Sequence, residues 1–196
     1  MTVSSEFPAL VDPKSGQRLQ ECGGVLMAGD ARYPVVNGIP RILPDAGSYV
    51  DAFGEQWNRW QRTQLDSLTG VPISRTRLLR CIGGDLARTM STPGGAVDVL
   101  EAGCGAGRFT EVLLGLPAVR LTSVDLSTAV EANERNFPQD ARHCIVQCDI
   151  CELPFEQGSF DVVVCLGVIQ HTPDPERTIA SLYSRVKPGG WLVIDH

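Results

Sequence analysis

The sequence predicts an α/β fold, a doubly wound and mostly parallel sheet, and three observations predict it. From residue 96 onward, the short apolar runs AVDVLEA, VRLTSVD, HCIVQCD, FDVVVCL and WLVID alternate with stretches of helical periodicity. These runs are close to continuous in Val, Leu and Ile, as expected of strands buried on both faces. Glycines at 103, 105 and 107 follow the first run, at the strand end where such a sheet holds its ligand.

The elements follow in chain order. Residues 1–45 are rich in Pro and Gly and carry one clear local signal, RYPVVNGIPRIL. Asn37-Gly38 between two apolar runs predicts a two-residue hairpin turn, because both central positions need positive φ. Pro34 and Pro40 each remove a ladder donor, which predicts edge strands. In YVDAFGEQWNRWQRTQL, residues Phe53, Trp57, Trp60 and Gln64 recur at helical spacing, an aromatic stripe expected to pack on the main domain. A helix is predicted from Pro72 to Gly83-Gly84, with LARTMSTPGG as a linker. Arg108 to Leu116 reads as a helix after the glycines. Thr128 to Asn136 reads as another, with Thr128 and Glu131 at capping-box spacing and Phe137-Pro138 ending it. Asp174 caps a helix that begins at Pro175. Its apolar face is Ile179, Leu182, Tyr183 and Val186, and Lys187-Pro188-Gly189-Gly190 closes it. The expected organisation is a hairpin segment over 1–45, a helical lid and linker over 46–95, and a ligand-binding core over 96–196.

Length and charge narrow the function. The 196 residues suit one α/β domain with a short extra segment. A net charge of −6 argues against a nucleic-acid-binding surface, which needs clustered Lys and Arg. No apolar run approaches a membrane span and no basic-then-apolar leader opens the chain, so a cytoplasmic protein without membrane or nucleic-acid partners is expected. Seven cysteines without an export signal suggest reduced thiols. Cys144, Cys148 and Cys151 raise a metal question, but a four-ligand spacing is missing, and no metal is expected.

The glycine loop poses the sharper question. A dinucleotide fingerprint places a third glycine where Arg108 stands, and a carboxylate at Glu101 would face two phosphate charges. A P-loop is excluded because no Gly-Lys-Ser/Thr follows. S-adenosylmethionine meets neither objection: it has no phosphates and carries an ammonium and a sulfonium, which a carboxylate favours.

VLEAGCGAGRF resembles the first motif of the class I S-adenosylmethionine-dependent methyltransferases. The resemblance continues through SVDLS, CDICELPF, FDVVVCLGVIQHTPDP and VKPGGWLVID, and so spans about residues 96–196. It implies that Gly103, Cys104 and Gly105 line the cofactor and that Glu101 meets its ammonium. It implies that Asp125, with Leu126 beside it, accepts from the ribose hydroxyls, that Asp149 and Ile150 meet adenine, and that Leu166 and Gly167 lie beneath. FGEQW resembles the lid helix of such enzymes, which implies that Gln56 and Trp57 cover the cofactor. His171 follows the fourth strand, where it either orients or deprotonates the acceptor or serves as a structural donor in the HTPDP turn. Gln170 is a weaker candidate of the same kind.

Two departures from the family matter. Segments like RYPVVNGIPRIL upstream of such cores often end a small zinc ribbon, yet only Cys22 of its cysteines is present, so a metal-free remnant is expected. The family sheet has seven strands and the chain supplies five core runs. That predicts a fragment of a longer protein, or self-association through the open edge of WLVID. The expected function is methyl transfer from S-adenosylmethionine to a small-molecule acceptor. The alternatives are an NAD-dependent oxidoreductase and a non-catalytic S-adenosylmethionine-binding module.

Overall fold

A computed structural model describes residues 7–43, 58–60 and 62–195. The candidate lid residues Phe53, Gln56 and Trp57 lie outside the described residues. The strands are β1 (Gln20–Cys22), β2 (Val25–Ala28), β3 (Ala31–Val36), β4 (Ile39–Ile42), β5 (Val97–Ala102), β6 (Val119–Asp125), β7 (His143–Cys148), β8 (Phe160–Leu166) and β9 (Val186–Asp195). The described helices are α1 (Asp66–Thr69), α2 (Ile73–Met90), α3 (Thr110–Leu114), α4 (Val130–Asn136) and α5 (Pro175–Ser184), with 3₁₀ turns at Ile150–Glu152 and Ile169–His171. No helix among the described residues is long and apolar enough to cross a membrane.

The nine described strands form one sheet, in the order β1-β2-β3-β4-β7-β6-β5-β8-β9. Strands β5 to β9 pair in parallel, as expected. The strand order reverses beside β5, so the loops after β5 and β8 diverge and leave a crevice between them. Along the central strands, alternate residues serve opposite faces. Val99, Val162 and Val164 pack under α2 and α3, whereas Leu100, Val163 and Cys165 join a second layer with α5.

The hairpin turns at Asn37-Gly38, whose φ values of 54° and 80° are those of a tight hairpin turn. Neither of its strands is at an edge: β3, with Pro34 opposite Val25, pairs with both β2 and β4. β4 is interior, antiparallel to β3 and parallel to β7. Pro40 is tolerated because it stands next to the turn-closing pair Val36–Ile39, and pairing with β7 begins only at Arg41. Buried Arg41 secures the junction. It pairs with Glu131, and its Nη1 donates to Gln147 Oε1 at 2.9 Å. Phe7, Leu10, Leu19 and Leu26 share one core with Val146, Phe155 and Phe160, so the strands of residues 7–43 extend the sheet.

Three local expectations change. Gly83 does leave helical geometry, with φ 71° and ψ 173°, but α2 resumes and runs to Met90. The apolar stripe Leu78, Ile82, Leu86, Met90 continues across the kink and keeps the second half buried. No capping box forms at α4, because the Glu131 carboxylate is taken by Arg41 and Ala129 is the cap residue. Lys187 to Gly190 belong to β9 as an irregular start whose register shifts between Phe160 and Val162. Lys187 Nζ ties that start to Asp161 at 2.9 Å and Asp98 at 3.2 Å. The Asp174 cap forms as expected, its side chain accepting from the Arg177 N–H at 2.9 Å, although Tyr183 stays exposed. Cys144 and Cys148 are buried in β7, and no metal-ligating cluster occurs among the described residues.

Candidate active site

A cavity of about 480 Å³ opens at the carboxyl ends of β5, β6 and β8. Its floor is the glycine loop that follows β5. Gly103 has φ 81°, and a Cβ there would stand 2.4 Å from Val168 Cγ2, so the loop after β8 packs directly on it. Gly107 has φ 102° and is closed off by the Phe137 ring. These glycines are required by backbone conformation and close packing.

The cavity brings together most of the residues singled out in the sequence. Gly103, Cys104, Gly105, Asp125, Leu126, Ile150, Leu166 and His171 all line it. Asp125 ends β6 and holds the loop: its Oδ2 accepts from the Gly105 N–H at 2.9 Å. Its Oδ1 accepts from the Ser127 N–H at 2.9 Å and the Ser127 hydroxyl at 2.7 Å. Oδ2 therefore keeps capacity for one further donor. Enclosure raises the Asp125 carboxyl above the usual aspartate value, against the three bonds that lower it. His171 is exposed at the rim, on the 3₁₀ turn after β8, with its N–H donating to the Val168 carbonyl at 2.8 Å.

Two expected contacts are placed elsewhere. Glu101 does not stand at the lip of the cavity. It is 3% exposed, beneath the loop, with Oε2 at 2.6 Å from Thr110 Oγ1 and 2.9 Å from Ser123 Oγ. Its Oε1 is buried without a partner among the described residues. Burial raises its carboxyl to about 7. The objection that Glu101 would repel a pyrophosphate therefore loses its geometric basis, and the argument from Arg108 remains. Asp149 caps the 3₁₀ turn after β7, its Oδ1 accepting from the Cys151 N–H at 2.8 Å. It lines a small recess with Pro13 and Tyr33 instead of the main cavity.

Sequence reasoning missed two cations. Arg77 of α2 and Arg108 of the loop both line the cavity and both lie against the Phe109 ring, at 5.7 and 5.2 Å. Arg77 Nε and Nη2 pair with Asp195 Oδ2 at 2.8 and 2.7 Å, and Asp195 Oδ1 accepts from the Gly167 N–H at 2.7 Å. Arg108 Nε donates to Ser74 Oγ at 3.1 Å. Burial, then the neighbouring Arg77 charge, holds the Arg108 pKa below the ordinary arginine value. The sequence signal for Arg108 was its place where a third glycine was sought. Arg77 reaches the site only through helix packing and left no signal.

Residues 100–194 match the family model described as a methyltransferase domain. Those residues form a methyltransferase domain. It belongs to the class I S-adenosylmethionine-dependent methyltransferases, and S-adenosylmethionine is the cofactor of that family. Over 100 residues the chain is 34% identical to a ubiquinone biosynthesis O-methyltransferase from Chromobacterium violaceum, covering 48% of this chain and 41% of that one. A Methanococcus maripaludis protein described as an S-adenosyl-L-methionine-dependent methyltransferase superposes with a TM-score of 0.58 at 19% identity, covering 77% of this chain and 66% of that one. Haemonchus contortus phosphoethanolamine N-methyltransferase 2, solved with S-adenosylhomocysteine and phosphomonomethylethanolamine, superposes with a TM-score of 0.52 at 26% identity, over 72% and 35% of the two chains. The chain spans less than half the length of the curated relatives that it matches.

The methyltransferase domain fits its cofactor in two respects. Asp125 offers a remaining acceptor position on the cavity wall. Glu101 Oε1 is buried and without a partner among the described residues, beneath the loop that floors the cavity.

Proposed function

We propose that the chain binds S-adenosylmethionine across the ends of β5, β6 and β7 and directs its methyl group to a small-molecule acceptor. The observation that carries this reading is the cavity floored by Gly103 to Gly105, with the Asp125 carboxylate open to it at the end of the neighbouring strand. When bound, the cofactor supplies a methyl group already activated on a sulfonium.

The residues then need only bind, align and exclude water. The backbone of Gly103 to Gly105 allows close approach of the methionyl and ribose portions. Asp125 Oδ2 accepts from a ribose hydroxyl, and Ile150 packs against the base. Asp149 completes the base contact after turning from its present cap. Glu101 answers the cationic end from below. Arg77 and Arg108 offer guanidinium groups to the methionyl carboxylate. Leu166 and Gly167 shape the floor beneath. His171 at the rim orients the acceptor or takes its proton. The cytoplasmic setting expected from composition belongs to the same reading.

Titration calorimetry with S-adenosylmethionine, S-adenosylhomocysteine and NAD is the first test. Binding of the first two and not the third is expected, and binding of NAD alone overturns the proposal. Incubating the chain with methyl-tritiated cofactor and a cell extract is the second. Label should enter the low-mass fraction, and label confined to protein or nucleic acid would overturn the choice of acceptor class.

A further inference from the structure

Glu101, Ser123 and His143 form a buried polar row across three neighbouring strands, beneath the glycine loop. Glu101 of β5 is in register with Ser123 of β6, and His143 of β7 stands opposite Leu121, two residues before Ser123 on the same face. None is more than 3% exposed. Polar groups in such a layer are costly unless each is paired.

Their hydrogen positions are constrained. His143 Nδ1 lies 2.9 Å from the Phe137 carbonyl, which only accepts, so Nδ1 carries a hydrogen. His143 Nε2 lies 3.1 Å from Ser123 Oγ, and the same Oγ lies 2.9 Å from Glu101 Oε2. With a neutral imidazole and a carboxylate, both neighbours of Ser123 are acceptors and its single hydroxyl hydrogen serves one of them. The other contact would then set lone pair against lone pair. Both contacts become hydrogen bonds only when the row holds one more proton. Either Glu101 Oε2–H donates to Ser123, which donates to His143, or His143 Nε2–H donates to Ser123, which donates to Glu101. Thr110 donates to Oε2 in both cases, its own oxygen accepting from Asn133 Nδ2 at 2.9 Å. The two arrangements differ by two hydrogens moving one step each, and nothing is gained or lost.

We propose that this row is a proton relay that sets the charge of Glu101 by what occupies the cavity. With no cation bound, Glu101 is neutral. With a cation bound, Glu101 is ionised and His143 carries the proton. The trigger rests on the S-adenosylmethionine reading above. Burial raises Glu101 to about 7 and lowers His143 to about 4, so the resting proton stays on Glu101. Asp125 from the end of β6 opposes ionisation of Glu101. Asp140, ahead of β7, favours protonation of His143. The Cys104 thiol in the loop is kept protonated by burial, and Thr110 and Asn133 from α3 and α4 are neutral. One unit of positive charge a few ångströms away in a protein interior is of the size that reverses such a preference. Ser123 and His143 are then positioning residues that act through Glu101.

The test uses nitrogen-15 imidazole NMR on the wild-type chain, which has three histidines. The His143 signal is assigned by its loss in His143→Gln. The expected result is a neutral His143 without ligand and a doubly protonated His143 once S-adenosylmethionine saturates. Calorimetry at pH 6, below the Glu101 value of about 7, in buffers of different ionisation enthalpy should show no net proton release in the wild type and release of up to one proton in Ser123→Ala. Ser123→Thr, which restores the hydroxyl, should return release to zero. Saturable binding with His143 still neutral overturns the relay and leaves the cofactor reading intact. Absence of binding overturns both.

Discussion

Asp125→Ala tests the cofactor site most directly. The carboxylate has two tasks: it holds the loop through the Gly105 and Ser127 N–H groups, and its Oδ2 retains one acceptor position toward the cavity. Removing it leaves two backbone donors without this acceptor and deletes a charge-assisted bond to the ribose, worth about 1.5–3 kcal/mol. S-adenosylmethionine affinity should fall roughly 10- to 150-fold. Asp125→Asn should not rescue it. Both carboxylate oxygens face backbone N–H groups, so either orientation of the amide sets an NH₂ against a donor. A pH dependence follows from the raised carboxyl of Asp125. Its ionised form is lost as pH falls through a value above that of an ordinary aspartate, so affinity should weaken earlier on the acid side than an exposed carboxylate would dictate. The assay is titration calorimetry from pH 4.5 to 7.5, with thermal unfolding to confirm that the variant is folded. A folded variant with an unchanged dissociation constant would refute the reasoning.

Three further outcomes are expected. Gly103→Ala combines a φ of 81° with a Cβ driven into stiff Val168, so it should destabilise the fold by about 1–3 kcal/mol and abolish cofactor binding, as urea unfolding and calorimetry would show. His143 and Glu101 together hold one proton when folded and one when unfolded between about pH 4.5 and 6.5, so their effects on stability cancel there. His143→Phe removes the imidazole and leaves a glutamic acid with a raised folded pKa, whose stabilisation is present at low pH and lost as pH rises. The stability of the variant relative to wild type should therefore decline by about 1.4 kcal/mol per pH unit over that window, and a flat difference in urea unfolding would contradict the shared proton. β9 pairs only with β8 among the described strands and exposes Trp191 and Ile194. Light scattering should thus give a mass above that of one chain, and Ile194→Lys should lower it if edge pairing is the cause.

The sequence by itself determined whatever depends on neighbours along the chain. The parallel runs, the Asn37-Gly38 turn, the Asp174 cap and the glycines after β5 are written in consecutive residues, because period, positive φ and capping are local requirements. Their order then implied the crevice beside β5. Tertiary structure decided the rest, since it depended on partners far apart in sequence. Arg41 and Gln147, 106 residues apart, made β4 an interior strand despite Pro40. Arg77 and Asp195, 118 residues apart, brought a cation to the cavity that no motif announced. Glu101 is the instructive residue. Its presence before the glycines pointed to a cationic ligand, but only the register of β5, β6 and β7 revealed that it lies beneath the loop, linked through Ser123 to a histidine two strands away. The number of neighbours that a carboxylate has, and what they donate, is a property of the packed sheet.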